Sequence, residues 1–222
     1  MWRFYQIENT SCFNKSYPRL LYLAKQCDHG KRILNIGVGT GFLEEQLMNR
    51  RFEVYSLDPS EEVINMVQDR LFMGDRARVG HCSSIPFDDN FFDIVIMTEV
   101  LEHFNDDVLS LSLSEAYRVL AKGGVFIGTV PYRQDLKVDM IFCPYCESKF
   151  HRWGHVQSFE KGDIKKLIWS AGFKKISAIT CAFPDWDQKG IKSFVKSLMR
   201  YALGRLGESI VNPYIYFKAY KK

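Results

Sequence analysis

The sequence predicts one α/β domain built on a doubly wound, mostly parallel sheet. Its 222 residues are 46% hydrophobic and 25% charged, values typical of a globular domain that buries a sizeable core. Short apolar runs alternate with segments of helical periodicity through the first 130 residues, without an internal repeat or a Gly/Ser-rich linker. Strand–helix–strand units of this kind are typical of parallel sheets with helices on both faces. We therefore expect a single domain over residues 1–222.

The elements of the first half follow from apolar spacing and capping residues. Apolar runs short enough for buried parallel strands cover residues 32–36, 52–57, 92–97 and 125–130. Helical spacing covers residues 18–26, 41–49 and 107–121. A further helix is expected to begin at Ser60, because the carboxylates of Glu61 and Glu62 follow this N-cap and favour the helix dipole. We expect Gly123 and Gly124 to end the helix over residues 107–121.

The second half contains two insertions between its regular elements. The pattern predicts a helix over residues 158–171 that stops at Gly172, then strands over residues 176–182 and 214–220. Residues 187–209 alternate Lys and Arg with apolar residues at three- and four-residue steps, which predicts an amphipathic cover helix. Its cationic face is either solvated or in contact with an anionic substrate or a membrane surface.

A glycine-rich loop follows the first predicted strand, in the run ILNIGVGTGF over residues 33–42. Glycines at alternate positions permit a tight turn and a close approach of a ligand to the backbone. The second strand ends in Asp58 and Pro59, where an acid can accept both hydroxyls of a bound ribose. An ordinary turn and a helix-capping Asp58 are the structural alternatives. A dinucleotide fingerprint requires glycine where Phe42 stands, which argues against NAD and a dehydrogenase.

Five ordered motifs resemble the class I S-adenosylmethionine-dependent methyltransferases. They are NIGVGTG at 35–41, Asp58, GHCSSIPF at 80–87, FDIVIMTEVLEH at 92–103 and RVLAKGG at 118–124. The resemblance covers about residues 15–182. It implies a seven-stranded, mostly parallel sheet with an antiparallel last strand, and S-adenosylmethionine as cofactor. The cofactor contacts that it implies are Gly37, Gly39, Gly41, Asp58, Pro59, Cys82, Thr98 and Leu101. Two positions depart from the family, because Asn35 and His81 stand where it usually has acids.

Four soft ligands lie close together after the fifth strand. Cys143, Cys146, His151 and His155 have the spacing Cys-x2-Cys-x4-His-x3-His, which predicts a closed, structural Zn²⁺ site within a zinc loop over residues 133–157. The alternative is a surface loop with two reduced thiols. The four-residue gap is too short for a DNA-reading zinc finger.

A resemblance to a second group bears on the role of His155. A subset of bacterial methyltransferases, often associated with polysaccharide or secondary-metabolite modification, is similar in the stretch with the Cys-x-x-Cys pair. In relatives without that pair, a histidine of this loop faces the substrate pocket. The resemblance therefore leaves His155 either a metal ligand or a pocket residue.

Candidate bases for methyl transfer lie near the expected cofactor mouth. His103 and His155 are the catalytic candidates, because imidazole titrates near neutral pH. Glu102 and Tyr132 are the other candidates, and a packing role is the alternative for His103. A non-catalytic binding or scaffold protein of the same fold is the rival function, which Asn35 and His81 leave open.

The charge is divided unevenly along the chain and bears on the partner. Residues 1–150 have a net charge of −5 and residues 151–222 a net charge of +9. The basic segment favours an anionic acceptor, either a small molecule or a saccharide, and no nucleic-acid-reading motif accompanies it. Six scattered cysteines, no membrane-spanning apolar run and no apolar secretory segment favour a reducing cytoplasm.

Overall fold

The structure is a computed structural model that describes residues 10–27, 31–185 and 190–222. Its strands are β1 (Arg32–Ile36), β2 (Glu53–Asp58), β3 (Ala77–Val79), β4 (Phe92–Thr98), β5 (Leu120–Pro131), β6 (Met140–Phe142), β7 (Lys149–His151), β8 (Lys174–Cys181) and β9 (Tyr214–Tyr220). Its α-helices are α1 (Tyr17–Lys25), α2 (Phe42–Asn49), α3 (Glu61–Leu71), α4 (Asp106–Val119), α5 (Lys161–Ser170) and α6 (Ile191–Leu206).

Seven strands form the main sheet in the order β3-β2-β1-β4-β5-β9-β8. The first five of these pair in parallel, whereas β9 runs antiparallel between β5 and β8. The predicted mostly parallel, seven-stranded sheet with an antiparallel last strand is therefore confirmed. A separate hairpin pairs β6 with β7 and places Met140 opposite His151. The sequence pattern did not predict this hairpin or the short strand β3.

Successive residues of the central strands face opposite sides of the sheet. In β4, Ile94 and Ile96 contact one core cluster, whereas Val95 and Met97 contact the other. Helices α1, α2 and α3 cover the first face, and α4 and α5 cover the second. A sheet covered on both faces requires continuous apolar strands, which is why these strands could be recognised in the sequence.

The predicted end of the helix over residues 107–121 is wrong. Helix α4 ends at Val119, and Gly123 and Gly124 lie inside β5. The backbone becomes extended at Leu120, and this residue pairs with Phe92 of β4. Both glycines are hydrogen-bonded to the backbone of Lys221. Gly123 N–H donates to the Lys221 carbonyl, and Lys221 N–H donates to the Gly124 carbonyl. The strand ladder therefore ends the helix, and the glycines do not.

Helix α6 packs against the sheet edge through small residues. The Ser197 hydroxyl donates to the Asp185 carbonyl, and a Cβ on Gly204 would lie 2.2 Å from the Ala182 backbone nitrogen. The large apolar side chains of α6 are exposed instead, namely Ile191, Phe194, Val195, Leu198, Met199 and Leu206. The predicted helix over residues 187–209 is therefore present from Ile191, but its apolar side faces outward. Residues 187–189 lie outside the described residues.

Candidate functional site: a cofactor cradle beside a histidine cluster

The glycine loop adopts backbone angles that favour glycine. Gly37, Gly39 and Gly41 have φ values of +85°, +61° and +73°. Gly37 N–H donates to the Leu57 carbonyl at 2.9 Å, and a Cβ there would lie 2.8 Å from the Val100 Cγ2 atom. Both the positive φ and the close side chain therefore require glycine at position 37.

The carboxylate of Asp58 is held against this loop. One oxygen accepts the Val38 N–H at 3.0 Å and the other accepts the Ser60 N–H at 2.9 Å. The residue is only 3% exposed, and Pro59 beside it is exposed. Each carboxylate oxygen has a second lone pair, which can accept a ribose hydroxyl. The loop and the acid thus fit the nucleoside part of S-adenosylmethionine.

Glu44 lies directly behind the loop, in a role that the sequence did not reveal. The Asn35 amide donates to its carboxyl oxygen at 2.7 Å, and the Ser56 hydroxyl donates to the same oxygen at 3.0 Å. Burial raises the pKa of Glu44 to about 7. The acid absent from position 35 is therefore replaced by a carboxyl from α2. Helical spacing could not reveal this, because glutamate is common on exposed helix faces.

The segment expected to line the adenine, residues 80–87, is bound to β2 and α4. Gly80 N–H donates to the Asp58 carbonyl at 3.1 Å, and Ile85 N–H donates to the Glu115 carboxylate at 2.7 Å. Cys82 is buried, and its thiol accepts a hydrogen bond from the Ser112 hydroxyl at 3.1 Å. Burial raises the pKa of this thiol. The side chain of Cys82 therefore points into the core, which leaves its backbone for a cofactor contact, and His81 is exposed.

The loop after β4 contains the two remaining predicted cofactor residues. The Thr98 hydroxyl lies 2.7 Å from the Thr129 hydroxyl, and Leu101 is buried at the start of the 3-10 turn Leu101–His103. Glu99 has a φ of +56°, accepts the Thr129 hydroxyl and lies 3.6 Å from an Arg19 guanidinium nitrogen. These contacts fix the loop at the carboxyl end of β4, beside the loop that follows β1.

The chain before β1 lies over the glycine loop. Tyr17 stacks on Phe42 with 4.2 Å between ring centroids, and a Cβ on Gly39 would lie 3.6 Å from the Phe13 ring. The 3-10 helix Thr10–Ser16 and α1 therefore form one wall of the cradle. The sequence pattern did not predict this wall.

The two candidate catalytic histidines are in contact. The rings of His103 and His155 are 4.8 Å apart between centroids, and Glu102 lies beside them. Burial lowers the pKa of His103, and burial together with the neighbouring histidines lowers that of His155 to about 3. Both rings are therefore neutral at pH 7, as a general base or a metal ligand must be.

Among the described residues, the four side chains predicted to bind zinc come together only as two pairs, Cys143 with Cys146 and His151 with His155, whose rings stack at 4.8 Å between centroids. Cys143 and Cys146 lie at the tip of the β6–β7 hairpin, where hydrogen bonds with Ser148 lower the pKa of Cys146 to about 7. His151 is buried at the base of the hairpin, and its Nδ1 accepts the N–H groups of Trp153 and His155 at 3.3 Å. Among the described residues, the group of three possible metal ligands consists of Glu102, His103 and His155.

Tyr132, a further candidate base, lies farther along the same sheet edge. Its N–H donates to the Pro213 carbonyl at 3.0 Å, and its ring lies under the Arg133 guanidinium at 5.2 Å.

Comparison with known proteins supports the fold and the type of domain. Residues 34–128 match the family described as a methyltransferase domain. A probable S-adenosylmethionine-dependent methyltransferase of Mycolicibacterium smegmatis is 28% identical over 152 residues, which cover 68% of this chain and 55% of that relative. The chain therefore spans about half the length of this curated relative.

Two solved structures have a similar fold over nearly the whole chain. A Haloferax volcanii methyltransferase in complex with the activator Trm112 has a TM-score of 0.68 at 15% identity, covering 99% of this chain and 95% of its own. An S-adenosylmethionine-dependent methyltransferase of Thermotoga maritima has a TM-score of 0.65 at 20% identity, with both chains covered fully. At these identities the likeness concerns the fold.

Proposed function

Because residues 34–128 carry a methyltransferase domain on a seven-stranded sheet, we propose that this chain transfers a methyl group from S-adenosylmethionine to a small acceptor. The observation that carries the proposal is the Asp58 carboxylate, which is fixed at 3.0 Å from the Val38 N–H within the glycine loop. This arrangement places an acid beside a backbone loop that a ligand can approach closely. Both lie at the carboxyl ends of neighbouring parallel strands, where nucleosides bind in open α/β sheets.

The predicted contacts with the cofactor come from four segments of the chain. Gly37, Gly39 and Gly41 allow the backbone to approach it, and Asp58 accepts its ribose hydroxyls. Residues 80–87 lie beside the adenine, while Thr98 and Leu101 lie beside the methionine end. When bound, the cofactor supplies a methyl group activated by its sulfonium charge.

The acceptor that we propose is anionic, either a small molecule or a saccharide. The net charge of +9 over residues 151–222 supports it. Transfer forms a bond from the acceptor oxygen or nitrogen to the methyl carbon and breaks the carbon–sulfur bond. The acceptor proton then requires a base, for which neutral His103 and His155 are the candidates.

Calorimetry with the purified protein tests the cofactor assignment. We expect S-adenosylmethionine or its demethylated product to bind, and the Asp58→Ala variant to bind at least about tenfold more weakly, since two ribose hydrogen bonds are lost. Unchanged binding in that variant would contradict the ribose assignment. Turnover over a panel of anionic acceptors then separates an enzyme from a non-catalytic cofactor-binding protein, which would bind without turnover.

We also propose that α6 contacts an anionic membrane surface. Exposed apolar side chains together with Lys192, Lys196 and Arg200 on one helix support this role. None of the described helices is long and apolar enough to cross a membrane. Cytoplasmic localisation, and zinc binding at the hairpin that carries Cys143 and Cys146, stay predictions.

A further inference from the structure

The carboxyl group of Glu102 is buried beside the two histidines. The residue is 0% exposed, and neither carboxylate oxygen has a hydrogen-bond partner among the residues that the structure describes. The Nε2 atom of His155 lies 3.9 Å from one of these oxygens. Arg19 also interacts electrostatically with this carboxyl, but its guanidinium nitrogen lies 3.6 Å from the Glu99 carboxylate. A buried carboxylate without donors is costly, so a cationic partner is expected at this point.

Two imidazoles complete a possible coordination sphere around this carboxylate. Possible ligand atoms of Glu102, His103 and His155 all lie within 4.8 Å of one another. Ligand atoms bound to one ion at about 2.1 Å lie about 3.0 to 3.4 Å apart. The 3.9 Å separation between Glu102 and His155 exceeds this range by about 0.5 to 0.9 Å, and ligand atoms up to 4.8 Å apart would need to approach further to share an ion.

Oxygen atoms lie at hydrogen-bond distance from the Nδ1 atom of each ring. The His103 Nδ1 lies 3.1 Å from the Gly154 carbonyl oxygen, and the His155 Nδ1 lies 2.5 Å from the Gln134 side-chain oxygen. Metal-binding histidines commonly donate one ring N–H to such an acceptor, which fixes the ring. A backbone hydrogen bond also joins the segment of His155 to that of Glu102 and His103, because Val156 N–H donates to the Glu102 carbonyl at 2.9 Å.

We propose that Glu102, His103 and His155 bind one divalent transition-metal ion. Two nitrogens and one carboxylate oxygen suit zinc, manganese or iron, and three protein ligands leave positions for water or a ligand oxygen. If the proposed function holds, an oxygen of an anionic acceptor can take such a position. A histidine nitrogen bound to the ion cannot also accept a proton. When the ion is bound, neither His103 nor His155 therefore acts as the general base.

Metal titration tests the site without any acceptor or S-adenosylmethionine. The full-length protein is stripped with a chelator and then titrated calorimetrically with Zn²⁺ and, separately, with Mn²⁺. We expect one equivalent per chain, and affinity at least about tenfold lower in the Glu102→Gln and His155→Ala variants. Glu102→Gln preserves the side-chain shape, so it decides the question if the histidine variant fails to fold.

A Cys143→Ser, Cys146→Ser double variant is the matched control, and we expect it to keep the metal affinity of the wild type. Bound Co²⁺ should show no thiolate charge-transfer band, since the proposed ligands are nitrogen and oxygen. The proposal is overturned if the wild type binds no ion, if Glu102→Gln leaves binding unchanged, or if the cysteine variant abolishes it. The cofactor calorimetry with Asp58→Ala is independent, so failure of the proposed function is seen separately.

Discussion

The amide of Asn35 donates a 2.7 Å hydrogen bond to the buried carboxyl of Glu44, directly behind the glycine loop. The side-chain oxygen of Asn35 and the second carboxyl oxygen of Glu44 have no hydrogen-bond partner in the described part of the chain. The methyltransferases that this sequence resembles usually have an acid at the position of Asn35. We infer that Asn35 is neutral here because Glu44 already supplies the one carboxyl that this buried site can hold.

An Asn35→Asp variant should therefore be less stable than the wild type. It places a second carboxyl at hydrogen-bond distance from Glu44, removes a donor and leaves buried acceptors facing each other. We expect a loss of about 1–3 kcal/mol in the free energy of unfolding, measured by urea denaturation at pH 8.

The double variant Asn35→Asp, Glu44→Gln should recover most of this loss, because one carboxyl and one amide again face each other. Asn65 on the exposed side of α3 provides the control, since Asn65→Asp should change stability by less than about 0.5 kcal/mol. Equal effects at the two positions, or no recovery in the double variant, would contradict this account of the site.

The raised pKa of Glu44 gives stability a characteristic dependence on pH. Burial raises this pKa to about 7 from a usual value of 4.5. Below pH 4.5 both folded and unfolded chains are protonated, so burial costs no ionisation energy. Between pH 4.5 and 7 the folded protein keeps a proton that the unfolded chain has lost, and stability falls as pH rises. Above pH 7 the cost is complete, at about 3 kcal/mol.

The Glu44→Gln variant should therefore gain stability relative to the wild type as pH increases from 5 to 8. The depressed pKa of His155 has the opposite effect, because stability from that group is lost as pH falls from 6.5 towards about 3. Both proteins keep His155, so its contribution cancels in the difference between their unfolding free energies. A difference that stays constant over this range would show that Glu44 is ionised throughout.

The sheet could be predicted because its strands are continuous apolar runs between polar loops. β1 and β9 have the predicted bounds, 32–36 and 214–220. β3 has only three residues, Ala77–Val79, and two of them are exposed, so no apolar period distinguishes it. The end of α4 was missed because the interaction that ends it, Leu120 with Phe92, joins residues far apart in the sequence.

The same distinction applies to the site, where local sequence pattern predicts some residues and contacts between distant residues determine others. The glycine loop and Asp58 lie at fixed positions after their own strands, so local pattern reveals them. The zinc prediction grouped cysteines and histidines by sequence spacing alone. In the structure His155 stacks on His151, as that grouping requires, but it also lies beside His103 and Glu102, about fifty residues earlier, through a chain reversal that spacing does not encode.

Gly37 should be intolerant of any side chain. Its φ of +85° strains an L-residue, and a Cβ would lie 2.8 Å from Val100. We expect Gly37→Ala to destabilise the fold and to weaken S-adenosylmethionine binding at least about tenfold, because the loop must move to relieve the contact.

Gly123→Ala is the matched control for backbone strain. Gly123 has a similar φ of +78°, but nothing lies within 4 Å of a Cβ placed there. The control should therefore lose about 1 kcal/mol of stability and keep wild-type affinity for the cofactor. Weaker cofactor binding in Gly123→Ala, to the same degree as in Gly37→Ala, would mean that global destabilisation explains both results.

Helix α6 should bind vesicles that contain anionic lipid. Lys192, Lys196 and Arg200 provide attraction to negative headgroups, and exposed apolar side chains can enter the interface. In co-sedimentation with vesicles, we expect binding to rise with the fraction of phosphatidylserine and to fall as salt screens the charges. Equal binding to neutral vesicles would contradict the electrostatic part of this prediction.

The apolar part of the interaction is tested by Leu198→Ser combined with Met199→Ser. These residues are 50% and 60% exposed, so their replacement should leave the fold intact, while vesicle binding weakens by about tenfold. Leu111 on α4 is 54% exposed and lies on another helix, so Leu111→Ser should bind vesicles as the wild type does. If both changes reduce binding equally, the protein adsorbs through no particular surface. If neither does, the outward apolar side of α6 has another partner, because exposed apolar residues in such a group are commonly an interaction surface.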